Sequence, residues 1–425
     1  MDKKIIIPYG KQNFQIVIPP YVNVDLVLPQ KIELGNLITE EVIYKKIIQS
    51  KLYEHIISGF KIKPRIGIVV SDKTRPVPNN ILLPPLLRVL SECRIEKSDI
   101  KIFIASGTHS PMRKDEYIKI LPQNIIEAFE IIVHDCDDIN NLTEKQNTSR
   151  GTPVYINRIF DETDIKIVVG DIEPHHFAGF SGGVKGAAIG LTGRQTINTN
   201  HKLLLDDHST VGLYKENPLR QDIEEIGKII GIDYALNAIL NEKKEIIQVY
   251  FGSPLEVMAD GVEYSKKLSI ISITDRYDFV IASAGGYPKD INFYQSQKAL
   301  THASLFCKDS GMVFLCAECS EGVGSDKYLQ FVKGLRSHES VIEKFRSSSF
   351  EVGPHKAFQV AKIAQRINFK MLSSINDEVL ESLMINPIHS LENEILDYIN
   401  QIGTKSIIAL LPYATATIPT IQEGK

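Results

Sequence analysis

The 425-residue chain has no tryptophan, few cysteines and no apolar run long enough to span a bilayer. Each shortage excludes something. Five cysteines, an odd number in a chain this long, do not make a disulfide framework, and a reducing cytoplasm is the expected location. Cys316 and Cys319 form one C-x-x-C with no second pair, so a structural zinc site is not expected. The apolar run Met312-Val313-Phe314-Leu315 before it reads as a strand that Cys316 ends. The N-terminal stretch MDKKIIIPYGKQ lacks an apolar signal core, so no membrane association is expected. A formal net charge of −4 offers no basic field, which argues against nucleic acid as a partner. Any anion site must be a local pocket. Also missing is a G-x-G-x-x-G after the first buried strand, which counts against a nicotinamide-dependent dehydrogenase.

What is present reads as globular: 43% hydrophobic and 24% charged residues, in a length that favours two domains. Short β-branched runs recur, each ending in small or polar residues. Arg65 to Val70 leads into Ser71-Asp72-Lys73-Thr74-Arg75-Pro76, and Ile102 to Ala105 into Ser106-Gly107-Thr108-His109. Ile131 to Val133 leads into His134-Asp135, and Ile167 to Val169 into Gly170-Asp171. A second series comprises Phe279 to Ala282, Met312 to Leu315 and Ser406 to Leu411. Runs this short and this apolar are strands buried on both faces, and the stretches between them, such as Asn80 to Glu92 and Arg113 to Ile120, suit helices. The expected fold is α/β, with two α/β domains of mostly parallel sheets around an interdomain cleft. The chain turns polar between Ile270 and Tyr277, which places the domains at 1–272 and 273–425. Polar loops after parallel strands are where such sheets bind ligands.

The richest segment runs from Glu173 to Gly186, with glycines at 179, 182, 183 and 186 around Lys185. Such a loop suits a phosphate or a flat cofactor, but Gly186 stands where a P-loop needs Ser or Thr for magnesium. The competing reading is a tight turn before a packed helix. His175 and His176 precede the loop and His201 follows it, with His109 at the end of another strand. Imidazole serves both metal ligation and proton transfer near neutral pH. Arg75 sits in a loop stiffened by Pro76 and Pro78, as a bidentate hold on an anion requires. Gln295 and Lys298, three apart, share a face if Tyr294 to Lys298 is helical.

Together these motifs resemble the nickel-pincer-nucleotide lactate racemase family. The resemblance is carried by Asp72-Lys73-Thr74-Arg75-Pro76, Ser106-Gly107-Thr108-His109, Glu173 to Lys185, Asn200-His201, and Gly285-Gly286-Tyr287-Pro288 through Lys298. It implies a racemase or epimerase of a 2-hydroxy acid and a nickel pyridinium dithio-mononucleotide tethered at Lys185, with His201 as the protein ligand to nickel. It implies that Asp72, Lys73, Thr74 and Arg75 contact the cofactor, and that Arg75, Gln295 and Lys298 bind substrate. His109 and His175 take the place of paired acid–base residues. In such chemistry the α-hydrogen leaves as hydride once the hydroxyl is deprotonated, and a base on each side serves both enantiomers. Cofactor-biosynthesis proteins of the host are the implied partners, besides the small-molecule substrate.

Four positions depart from the lactate racemases. Val184 stands where Arg is common, Ser110 where Arg is usual, His176 for a Phe, and Phe358 for an active-site Trp. They point to a substrate larger or more polar than lactate, such as a dicarboxylic hydroxy acid or a sugar acid. Two rival readings are a zinc hydrolase built on His175, His176 and His201, and a non-catalytic relative that binds a hydroxy acid without turnover.

Overall fold

The structure, a computed structural model, describes residues 3–30, 38–60, 62–75, 77–241, 243–348, 350–351, 353–403 and 407–421. Pro76 and Ser406 therefore lie outside the described residues. The chain divides into two compact units, one within residues 32–266 and one made of the chain's start together with everything from 267 on.

The first unit is built on a six-stranded sheet in the order Ile246–Gly252, Tyr234–Leu240, Ile165–Asp171, Ile66–Ser71, Ile100–Ala105, Glu130–Val133. All neighbours are parallel except the antiparallel edge strand Ile246–Gly252. The central strands Ile66–Ser71 and Ile165–Asp171 are buried along nearly their whole length, as their unbroken apolar runs require. The helix Asn79–Glu92 lays Leu82, Leu83, Leu86, Val89 and Leu90 on the sheet, and the segment expected to be helical after Arg113 is the short 3-10 turn Lys114–Lys119.

The second unit holds an all-parallel sheet ordered Asn386–Pro387, Asn368–Leu372, Cys307–Cys316, Tyr277–Ser283, Ile407–Leu411, Asn23–Leu26. Here the structure departs from the expected division at 272. Asn23–Leu26 hydrogen-bonds along Ile407–Leu411, so the start of the chain folds with the second unit and not the first. The hairpin of Lys3–Tyr9 with Gln12–Ile18 joins it, burying Ile7, Ile16 and Ile18 in the same core as Phe279 and Phe314. The pairing spans most of the sequence, and the edge strand Asn-Val-Asp-Leu is too short and too exposed to announce itself. Among the described residues no helix is long and apolar enough to cross a membrane.

Candidate active site

In the first unit the predicted residues sit where parallel strands end. Ile66–Ser71 runs straight into Asp72, Ile100–Ala105 into the turn carrying His109, and Ile165–Asp171 into Glu173 and His175. Asp72 is buried; its Oδ1 accepts from Thr74 N at 3.0 Å and Thr74 Oγ1 at 2.6 Å, and its Oδ2 lies 2.7 Å from His109 Nδ1. A carboxylate only accepts, so His109 carries a hydrogen at Nδ1 and the neutral ring's lone pair is at Nε2. This is a base oriented by a carboxylate. Burial pushes the Asp72 carboxyl up, but the hydrogen bonds from His109 and Thr74 outweigh it and hold the group below its ordinary value. Lys73 Nζ is 2.5 Å from Glu116 Oε1, and Arg75 Nη1 is 3.6 Å from Glu173 Oε1. Arg75 thus ties its loop to the segment bearing His175.

That segment is a small antiparallel pair, Pro174–His175 against Gly179–Phe180. The amide of Ala178 donates to His175 Nδ1 at 3.2 Å, so the neutral His175 ring carries its hydrogen at Nε2, the reverse of His109. His176 stacks on His175 with ring centroids 4.6 Å apart, and Phe177 bridges edge-on from His176 to His201 at 4.3 and 5.2 Å. All four of these side chains are buried. Two groups result: Asp72, Thr74 and His109, and the ring chain from His175 to His201.

The glycines have an explanation inside the protein. A Cβ at Gly179 would stand 1.9 Å from Leu213 O, one at Gly182 2.5 Å from Ile172 Cγ1, and one at Gly186 2.8 Å from Val168 Cγ1. Gly179 and Gly182 also hold φ of +72° and +87°, which a side chain resists. The loop's polar backbone is likewise engaged. Gly183 N donates to Asn237 Oδ1 at 2.7 Å, Ser181 N to Glu173 O at 2.8 Å, and Arg220 donates to Phe180 O at 3.0 Å and Gly182 O at 3.1 Å. Glycines that read as a phosphate cradle are, in the structure, close-packing positions of a loop clamped from behind. Lys185, half-buried, starts the short helix Lys185–Ala188 at the end of this fixed loop.

Arg220 itself is fully buried and paired with Glu224 at 2.5 Å, over the ring of Tyr214. It belongs to the helix Pro218–Ile230, which carries Asp222 and is capped by Asn217. Asn217 Nδ2 donates to Phe177 O at 2.9 Å, and Asp222 Oδ2 accepts from Asn200 Nδ2 at 2.9 Å, next to His201. Sequence reasoning missed this helix. Read alone, Arg-Gln-Asp-Ile-Glu-Glu is an ordinary solvated face, and only burial distinguishes Arg220 and Asp222.

In the second unit Tyr294 to Lys298 is helical, within Phe293–Phe306, and Lys298 Nζ donates to Gln295 Oε1 at 2.8 Å. Two of the four departures have a packing cause in their own unit. Val184 is buried, in the place a Cβ on Gly227 would need, and Phe358 is buried and stacked on Phe345 at 4.7 Å. His176 lies in the ring stack with His175, and Ser110 is exposed. Cys316 does end its strand, and burial pushes its thiol and that of Cys319 up to about 12, which suits inert core residues. His175 and His176 stack face to face; among the described residues, the group whose ligand atoms close within 4.8 Å is Asp135, Cys136 and Asp137, of which Asp137 holds Arg194 at 2.5 and 2.6 Å.

Comparison with known proteins identifies the family and the fold. Residues 9–212 match the lactate racemase N-terminal domain and residues 273–418 the lactate racemase C-terminal domain. A lactate racemase of Thermoanaerobacterium thermosaccharolyticum is 28% identical over 97% of this chain and 98% of its own, and one of Lactiplantibacillus plantarum is 29% identical over 76% and 77%. The solved lactate racemase apoprotein of the former organism superposes with a TM-score of 0.90 at 26% identity, covering 98% of this chain and all of that one. A protein from Thermotoga maritima shares the fold, with a TM-score of 0.69 at 17% identity and 92% of this chain covered. With both domains matched in order and the fold shared end to end, the chain belongs to the lactate racemase family of isomerases.

Proposed function

We propose that this protein is a cytoplasmic racemase or epimerase of a small 2-hydroxy acid, working by proton-coupled hydride transfer with a nickel pincer nucleotide. The single observation that supports it most is the opposite poise of two histidines: His109 with its lone pair at Nε2, backed by Asp72, and His175 with a hydrogen at Nε2, backed by the Ala178 amide. A reaction that inverts configuration at a hydroxyl-bearing carbon needs one group to accept the hydroxyl proton and another to meet the oxygen in its new position.

The residues fit the implied group chemically. His201 offers an imidazole, a ligand nickel accepts, and Lys185 offers a primary amine on a loop whose backbone is fixed from behind. His201 would ligate the metal and Lys185 would hold the tether, with Asp72, Lys73, Thr74 and Arg75 contacting the nucleotide. When bound, the group supplies a reversible acceptor for the α-hydrogen as hydride. His109 takes the hydroxyl proton at Nε2 while Asp72 stabilises the imidazolium that forms. His175 donates to the oxygen on the other side. Arg75 would hold the substrate carboxylate, and Gln295 and Lys298 are the further residues proposed to bind substrate. The group reaches Lys185 through the host's cofactor-biosynthesis proteins.

The substrate is larger or more polar than lactate, a reading that rests on His176 and Ser110 now that Val184 and Phe358 are explained by packing. The test is a chiral assay of single enantiomers of lactate, malate and sugar acids with protein purified from its native host. Racemisation or epimerisation of at least one supports the function. Binding without turnover contradicts it, and lactate as the best substrate contradicts the larger pocket.

A further inference from the structure

Behind His201 lies a chain of buried polar groups that the reaction as described does not use. Asn200, with no exposed surface, places Nδ2 3.1 Å from Leu219 O and 2.9 Å from Asp222 Oδ2. Both partners are pure acceptors, so turning the amide over would set Oδ1 against two oxygens. The orientation is therefore fixed, and it is Oδ1 that faces His201 Nδ1, at 3.2 Å. A carbonyl oxygen accepts only, which obliges His201 to carry its hydrogen at Nδ1. Asp222 is held as firmly. Thr148 Oγ1 donates to its Oδ1 at 2.6 Å and Thr152 Oγ1 to its Oδ2 at 2.9 Å, so three donors surround one fully buried carboxylate. A buried carboxylate is tolerated only when so satisfied.

The helix that carries Asp222 is anchored at its start. Asn217 caps it, accepting from Arg220 N at 3.0 Å and donating to Phe177 O at 2.9 Å. Phe177 in turn sets its ring edge-on to His201, centroids 5.2 Å apart. The imidazole is thus fixed by its Nδ1 edge and by its ring contact, and both supports run back to Pro218–Ile230 and its cap.

We infer that Asp222 is a positioning residue for His201. Acting through Asn200, it holds the ring in the tautomer whose lone pair is at Nε2, the form in which His201 ligates metal. The purpose assigned to this relay rests on the reading of His201 as the nickel ligand, but the tautomer does not. Outer partners of this kind govern metal affinity by about 10–100-fold.

The test begins with full-length protein labelled with 15N-histidine and free of metal. Long-range 1H–15N correlation reports which ring nitrogen of His201 is protonated, and a His201→Gln sample identifies the signal. The expected wild-type result is a hydrogen at Nδ1 and a bare Nε2; a hydrogen at Nε2 overturns the proposal without any variant being needed. Asp222→Asn, which frees the Asn200 amide to turn, is expected to bring in the other tautomer. In protein carrying the Lys185 adduct it should also weaken nickel retention against a chelator by about 10–100-fold while the adduct itself persists. Asn200→Ala serves as the second variant should Asp222→Asn fold poorly. Variants that melt normally with an unchanged tautomer and unchanged nickel retention overturn the proposal, since a merely structural Asp222 would move stability alone. Protein that never acquires nickel overturns the functional reading instead, and the tautomer still decides the relay.

Discussion

Asp72 and His109 stand 37 positions apart in the chain and 2.7 Å apart in space. Each was legible as a polar residue after a buried strand; their pairing was not, because it depends on two neighbouring strands ending level. Replacing His109 with Asn should lower kcat by about 10²–10⁴-fold, the range for losing a general base. His109 is exposed and outside the core, so the melting temperature should barely change; a parallel loss of fold would contradict the assignment. Asp72 makes a second prediction, through pH. Its carboxyl is held below its ordinary 3.8 in the folded state, so the stability it contributes is complete above that value and disappears as pH falls through the lower folded value. Urea titrations between about pH 4 and 2 should show a shallower acid loss for Asp72→Asn than for wild type. An identical slope would mean the pair contributes nothing to the fold.

The glycine loop and the helix Pro218–Ile230 behave as one element. Arg220 reaches from the helix to the carbonyls of Phe180 and Gly182 and is neutralised by Glu224 within its own turn. Removing one partner of such a buried pair strands the other, and Arg220→Met should destabilise the first unit by about 3–5 kcal/mol in denaturant unfolding. A loss under 1 kcal/mol would show that water or a neighbour takes over both carbonyls. Four strands of the first sheet, Ile66–Ser71, Ile100–Ala105, Glu130–Val133 and Ile165–Asp171, and three of the second, Tyr277–Ser283, Cys307–Cys316 and Ile407–Leu411, were readable from their apolar runs, as was the helix Asn79–Glu92; the other strands of the two sheets were not read. The glycines were noticed for a different reason from the one they serve: spacing shows that side chains are unwelcome, not whether ligand or protein fills the space. Pro218–Ile230 escaped notice because its buried Arg220 and Asp222 look like surface residues, and it lies in the stretch between the two matched family domains.

Over the whole molecule, the chain's start folds with the second unit and not with the first. The residues assigned to metal, tether and proton transfer all fall in the first unit, while Gln295 and Lys298 fall in the second. The second unit recruits the chain's first strands, a pairing across nearly the full sequence that no local pattern could reveal. What unites these observations is a loop clamped from behind with a half-buried lysine at its end, and a histidine held by its Nδ1 edge. In the proposed function both are attachment points for one cofactor. The most direct test is peptide mass analysis of protein purified from its native host: a mass increase confined to the peptide containing Lys185, matching a nickel pincer mononucleotide, is the predicted result. An unmodified Lys185 in protein that nonetheless racemises a hydroxy acid would contradict it.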